Sequence, residues 1–242
     1  MGLLAIDAGN TRVKWGLHDG SGWVVRGAVA TTEVEHLEEQ WKALERIAQA
    51  IASNVAGAAV AGHLERACAR RALPFVMIRS ERERLGVTNG YRDPALLGSD
   101  RWAGLIAAHR MGPGHKLVVN AGTALTIDAL ARDGRFLGGA IVPGPALMRR
   151  ALDRGTAGLR HTEGEFEALP ASTPNAITTG AIHACIGAIE RMRAEMTSAG
   201  VAPDGLILAG GGAAELEPHL SMPVTVNENL VLDGLVAIAR DR

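Results

Sequence analysis

The chain says nearly the same thing twice, and this repetition restricts its fold more than any other feature. Leu4-Ala5-Ile6-Asp7-Ala8-Gly9-Asn10-Thr11 opens it, and Leu117-Val118-Val119-Asn120-Ala121-Gly122-Thr123 recurs near the midpoint. Each copy is an apolar run, then an acid or its amide, then Ala-Gly and a hydroxyl residue. A second alternating segment follows each (Arg12 to Leu17, Ala124 to Ala129), then a third (Gly22 to Ala30, Arg135 to Val142). Strand, Gly turn, strand, turn, strand is thus written in duplicate. Two hairpins tipped with small polar residues make a clamp for a phosphate chain held by backbone N–H groups, which directs attention to nucleotide chemistry.

Helical patterns extend both copies. Leu37, Trp41, Leu44, Ala48 and Ile51 recur at helical spacing and predict a helix over 33–51. A short buried strand is expected at 54–61, a helix at 63–73, a strand at 74–78 and an irregular, charged stretch at 80–97. Ser99 is expected to cap a helix running to His109. In the second half, helices are expected from Pro145 and over 173–198, with a flexible stretch over 153–172 between them. A strand at 205–209 enters the triple-Gly turn Gly210-Gly211-Gly212, and a last strand and helix occupy 223–226 and 230–240. Gly138-Gly139 through Pro143-Gly144-Pro145 is rich enough in Gly and Pro to suggest an interrupted strand near a ligand. The result is α/β, two β-β-β-α-β-α lobes with mixed sheets, divided at Met111-Gly112-Pro113-Gly114 into 1–112 and 113–242.

Composition excludes several classes. A net charge of −1 over 242 residues gives no electrostatic case for nucleic acid. The cluster from Arg149-Arg150 to Arg160-His161 reads as a solvated face or as a guide for anionic substrates. No apolar run suits a bilayer, and the N-terminus reads as strand in place of signal peptide. Cys68 and Cys185, outside any metal-ligand spacing, read as buried small groups in a reducing, cytoplasmic compartment. His109 and His183 read as helix-packed. Walker-type and G-x-G-x-x-G loops are absent, so phosphate binding falls to the hairpin loops.

Candidate site residues follow from that chemistry. Gly9 permits close backbone approach, Asn10 and Thr11 supply donors, and Asp7 at the strand end can hold a hydrated Mg²⁺ or cap a turn. Gly98-Ser99-Asp100-Arg101 is either a capped helix start or an acceptor site. In the second case Asp100 takes a hydroxyl proton and Arg101 grips an anion. Tyr91, the only tyrosine, could cover a small ligand or anchor its loop. The Gly210 turn could accommodate adenine or ribose.

Together these blocks resemble the type III pantothenate kinases of the actin-like and sugar-kinase-like ATPase superfamily. The resemblance rests on Asp7 to Lys14, Gly98 to Arg101, Gly122 to Asp128, Gly138 to Gly144, Thr173 to Gly180 and the Gly210 turn. It implies actin/ribonuclease-H-like lobes around an interlobe cleft, and ATP-dependent phosphorylation of pantothenate on its 4′-hydroxyl, the first step toward coenzyme A. By the family pattern, Asp7 positions Mg²⁺; Gly9, Asn10, Thr11, Lys14, Gly122, Thr123, Gly210 and Gly211 surround ATP. Asp100 is the base, and Tyr91, Gly98, Ser99 and Arg101 bind pantothenate, with Thr173 supplied across a homodimer interface. No membrane or nucleic-acid partner is implied. One departure stands out: the family commonly has Asp where this chain has Asn120, which bears on the family's potassium or ammonium dependence. Two other functions suit the same scaffold: a kinase for another hydroxylated acceptor, and a regulatory ATP-binding protein without transfer.

Overall fold

A computed structural model describes residues 2–156 and 163–241. The chain divides into two units, one of Met1–Met111 with Asn229–Arg242 and one of Gly112–Glu228. The C-terminal segment from Asn229 therefore packs with the first unit, where the sequence-based division put it with the second. The break after Met111 falls inside the Gly-Pro run.

The first unit opens with β1 (Gly2–Ala8), β2 (Arg12–His18) and β3 (Trp23–Ala30), an antiparallel meander. A 3-10 turn (Thr31–His36) leads into the one-turn α1 (Leu37–Trp41). β4 (Ile47–Asn54), α2 (Ala58–Arg70) and β5 (Phe75–Met77) follow. A hairpin of β6 (Glu83–Arg84) and β7 (Val87–Asn89) precedes α3 (Ser99–Arg110). Strand order is β3-β2-β1-β4-β5, with β4 parallel to both β1 and β5.

The second unit repeats this plan. β8 (Lys116–Ala121), β9 (Ala124–Leu130) and β10 (Arg135–Pro143) form the meander. Then come α4 (Pro145–Gly155), α5 (Thr173–Ser198), β11 (Gly205–Ala209), the one-turn α6 (Ala213–Leu216) and β12 (Val224–Val226). Its strands run β10-β9-β8-β11-β12, with β8, β11 and β12 mutually parallel, the same mixed order as in the first unit. The chain ends in α7 (Leu230–Arg240), packed on α3. Gly234 is needed there, because a Cβ would collide with the Ala103 backbone. Leu4, Ile6, Trp15, Leu37, Trp41 and Leu64 make one core, and Leu117, Val119, Ile127, Ile182 and Leu208 the other.

Four local expectations fail, each for a tertiary reason. The helix over 33–51 stops at Trp41, Arg46 takes a left-handed φ of 58°, and Ala48 and Ile51 lie in β4. Buried parallel strands are continuous apolar runs, so Ala-rich β4 carries no alternation to separate it from a helix. The strand expected at 54–61 is accordingly the end of β4 and the start of α2. Ser99 is not the cap of α3: Gly98 occupies that position without a side-chain cap. Gly138 (φ 135°) is absorbed at a bulge after Phe136, so β10 runs through the Gly-rich stretch as one strand.

Of the stretch expected to be flexible, residues 157–162, including Arg160 and His161, lie outside the described residues. Its later part is tied to α5: the Glu165 N–H donates to Asn175 Oδ1 at 3.0 Å and that of Glu167 to Thr179 Oγ1 at 3.0 Å. Arg149 is half-buried, its guanidinium paired with Glu215, while Arg150 is exposed. Both cysteines are buried, and burial pushes each thiol up to about 11. No helix among the described residues is long and apolar enough to cross a membrane.

Candidate active site

β1 ends beneath the first hairpin loop and delivers Asp7 to it. Register sets Asp7 opposite Lys14 on β2 and Ser53 on β4. The loop closes through the Gly9 N–H, which donates to the Arg12 carbonyl at 3.1 Å, leaving Asn10 and Thr11 exposed. Thr31, just past β3, braces it: its hydroxyl donates to the Gly9 carbonyl at 2.7 Å and its N–H to the Thr11 carbonyl at 3.0 Å. Sequence reasoning missed Thr31, which carries no local signal of its partnership.

Asp7 is electrostatically unusual. Its Oδ1 is buried with no hydrogen-bond partner among the described residues. Burial, then the nearby Asp100 carboxylate, pushes its pKa from 3.8 to about 7, with Lys14 pulling the other way. Asp100 is raised too, mainly by burial, with the Arg101 N–H and charge opposing. Two carboxylates close enough to feel each other, one with an unsatisfied buried oxygen, form a site short of positive charge. No group of three metal-ligating side chains occurs among the described residues. A hydrated Mg²⁺, which needs only one or two carboxylates plus phosphate oxygens, fits that donor set.

Asp100 sits in the first turn of α3, and its Oδ1 accepts from the Arg101 N–H at 2.8 Å. Gly98 clears its space, since a Cβ there would lie 2.6 Å from Asp100 Oδ1. Ser99 turns inward, its hydroxyl 2.9 Å from that of Ser53 in a buried pair that ties α3 to the end of β4. Arg101 is only 7% exposed, and its Nη1 donates to Tyr91 Oη at 2.7 Å. The guanidinium carbon lies 5.6 Å from the Tyr91 ring centre, within cation–π range. Tyr91 is half-buried, so it anchors its loop and meets Arg101 at once. The first unit thus gathers Asp7, Gly9, Asn10, Thr11, Lys14, Tyr91, Gly98, Ser99, Asp100 and Arg101 on three adjoining segments.

The second unit repeats the loop with different support. The Gly122 N–H donates to the Ala124 carbonyl at 3.0 Å, presenting Thr123 at the tip. The Gly144 N–H donates to the Thr123 carbonyl at 2.9 Å, and a Cβ at 144 would collide with Gly122. Backbone thus approaches backbone at Gly144, whereas a Cβ at Gly138 would meet open space. Asn120 lies beside Ala209 on β11 and Thr126 on β9. Gly210 (φ 92°) follows, and its Cβ position is 2.5 Å from both Asn120 Oδ1 and the Ala121 carbonyl. Only glycine combines that dihedral with that clearance. Gly211 is exposed, with open space where its side chain would be. Thr173, the first residue of α5, is exposed on the rim of an apolar cavity of about 990 Å³ that is also lined by Met148, Leu152, Pro170 and Ile177.

Residues 3–195 match the family model described as type III pantothenate kinase. The chain belongs to that family. A type III pantothenate kinase of Nitrosospira multiformis is 46% identical over 240 residues, covering 99% of this chain and 91% of the relative. One from Dechloromonas aromatica is 41% identical, covering 98% of each. Among solved structures, the ethanolamine utilization protein EutJ of Carboxydothermus hydrogenoformans overlays with a TM-score of 0.57 at 12% identity, covering 97% of this chain and 89% of that one. The inorganic polyphosphate/ATP-glucomannokinase of Arthrobacter sp. strain KM gives 0.51 at 17%, covering 100% and 99%. These two likenesses concern the fold alone, and they agree with the actin-like, sugar-kinase-like architecture.

Proposed function

We propose that this protein transfers the γ-phosphoryl group of ATP to the 4′-hydroxyl of pantothenate, yielding 4′-phosphopantothenate and ADP, the first step toward coenzyme A. Beyond family membership, the observation that carries this is the grouping of Asp100 with Arg101 and Tyr91, in charge contact with Asp7.

In this reading Arg101 and Tyr91 hold the acceptor, with Arg101 offering its fork to the pantothenate carboxylate. Gly98 and Ser99 keep their place among the acceptor-binding residues by shaping and anchoring the start of α3. Asp100, raised by burial, orients the hydroxyl and takes its proton as the oxygen bonds to phosphorus and the bond to ADP breaks. Gly9, Asn10, Thr11, Lys14, Gly122 and Thr123 bind the phosphates through backbone N–H groups and short donors, while Gly210 and Gly211 leave room for the nucleoside. Asp7 is the residue that would hold a hydrated Mg²⁺, which would supply positive charge beside the phosphates.

Three finer points belong to the same proposal. Asn120, lacking a charge where the family commonly has Asp, weakens or alters activation by potassium or ammonium. Thr173, exposed at the start of α5, completes the acceptor site of a second copy in a homodimer. The enzyme works in the cytoplasm, in keeping with its two buried thiols.

ADP release from ATP and Mg²⁺ tests this, measured with and without pantothenate in potassium and in sodium buffer. Pantothenate-dependent release is expected, with little difference between the buffers. ATP binding without release would favour a regulatory protein, and release with a different hydroxylated acceptor a different kinase. Strong potassium dependence would overturn the role given to Asn120.

A further inference from the structure

The segment that carries Tyr91 has almost no regular structure, yet it is held at many points by two side chains with no role so far. Asn89, the last residue of β7, is 1% exposed. Its Nδ2 donates to the carbonyls of Glu81 and Pro94, both at 3.2 Å, and its Oδ1 accepts from the Tyr91 N–H at 3.0 Å. One amide group therefore ties the Glu81 backbone to the stretch 91–94 at two points and uses both donor hydrogens and its oxygen. Arg82 grips the same segment from outside. Its Nη1 donates to the Tyr91 carbonyl at 3.2 Å and its Nη2 to the Arg92 carbonyl at 3.3 Å. The main chain links the pair, since the Asn89 N–H donates to the Arg82 carbonyl at 2.9 Å.

All these bonds converge on one residue. The Tyr91 N–H is held by Asn89, its carbonyl by Arg82 and its hydroxyl by Arg101. We infer that Asn89 and Arg82 are positioning residues for acceptor recognition: they fix the Tyr91 backbone so that its hydroxyl holds the Arg101 guanidinium in place. This rests on the proposed roles of Tyr91 and Arg101. Without the clasp, Tyr91 must be ordered each time the acceptor binds, and that entropy is drawn from acceptor affinity. Nucleotide binding uses other loops and is untouched.

The test is steady-state kinetics on the full chain for Arg82→Ala, Asn89→Ala, Tyr91→Phe and the double variants with Tyr91→Phe. Each clasp variant is expected to raise KM for pantothenate about tenfold, with KM for ATP within about twofold. In the Tyr91→Phe background the same substitutions should add little, because their effect passes through the lost hydroxyl contact. Arg82→Lys should recover part of the loss. Arg82 is exposed, so its variant decides the matter if Asn89→Ala does not fold. An unchanged pantothenate KM in Arg82→Ala, equal rises in both substrates' KM, or full additivity with Tyr91→Phe would overturn the inference. Pantothenate-independent native enzyme would instead overturn the function on which it rests.

Discussion

Replacing Asp7 by Asn should make the metal-free protein more stable at alkaline pH while abolishing turnover. The carboxylate's Oδ1 is buried and unpartnered, and its pKa is pushed from 3.8 to about 7. A carboxyl whose folded value exceeds its unfolded one binds its proton more tightly when folded. Its favourable contribution is thus complete below about pH 4, falls as pH rises towards 7, and changes little above. Moving that binding point from 3.8 to about 7 is worth about 4 kcal/mol by pH 8, of which roughly 1.5 is already lost at pH 5. Asn keeps the shape without the charge. Urea unfolding of both proteins with chelator present, from pH 5 to pH 8, should show the variant gaining about 2–3 kcal/mol over the native protein across that range. Parallel pH profiles, or a variant that loses ground at pH 8, would refute the claim that desolvation of the Asp7 carboxylate outweighs the pull of Lys14. Simultaneous loss of turnover would show that the strain is kept for function.

Asp100→Asn should lower turnover by about 10²–10⁴ while ATP still binds, as checked by single-turnover kinetics and nucleotide titration. Because Asp100 helps raise Asp7, the same variant should move the Asp7 titration to lower pH. Gly210→Ala forces an L-residue to φ 92° and presses a methyl to 2.5 Å from Asn120 Oδ1 and the Ala121 carbonyl. It should cost about 2 kcal/mol or more in urea unfolding and weaken ATP binding.

Much of the molecule was readable in the chain because its signals are local. The two meanders are marked by alternation and Gly turns, and both return the same strand order. α5 and α7 are long, periodic and well delimited. Asp7 and Gly122 stand out by type and by the repeat of their motif, whereas Asp100 and Arg101 read locally as a helix start as well as an acceptor site and are singled out through the family resemblance. Where the reading failed, the deciding contact was distant in sequence. Ala48 and Ile51 have helical spacing, yet pairing between β1 and β5 makes their segment a strand. Ser99 looks like a cap, yet Ser53, far away in the chain, takes its hydroxyl inward.

The sequence by itself determined the duplicated α/β plan, the family and the residue types at the two loops. Those properties depend on periodicity, turn chemistry and short motifs. Only the tertiary structure decided that α7 closes the first unit, that Asn89 and Arg82 clasp the Tyr91 segment, and that one carboxylate oxygen of Asp7 is buried without a hydrogen-bond partner in charge contact with Asp100. Burial and charge coupling are properties of neighbours brought together by folding, and no local pattern in the chain records who those neighbours are.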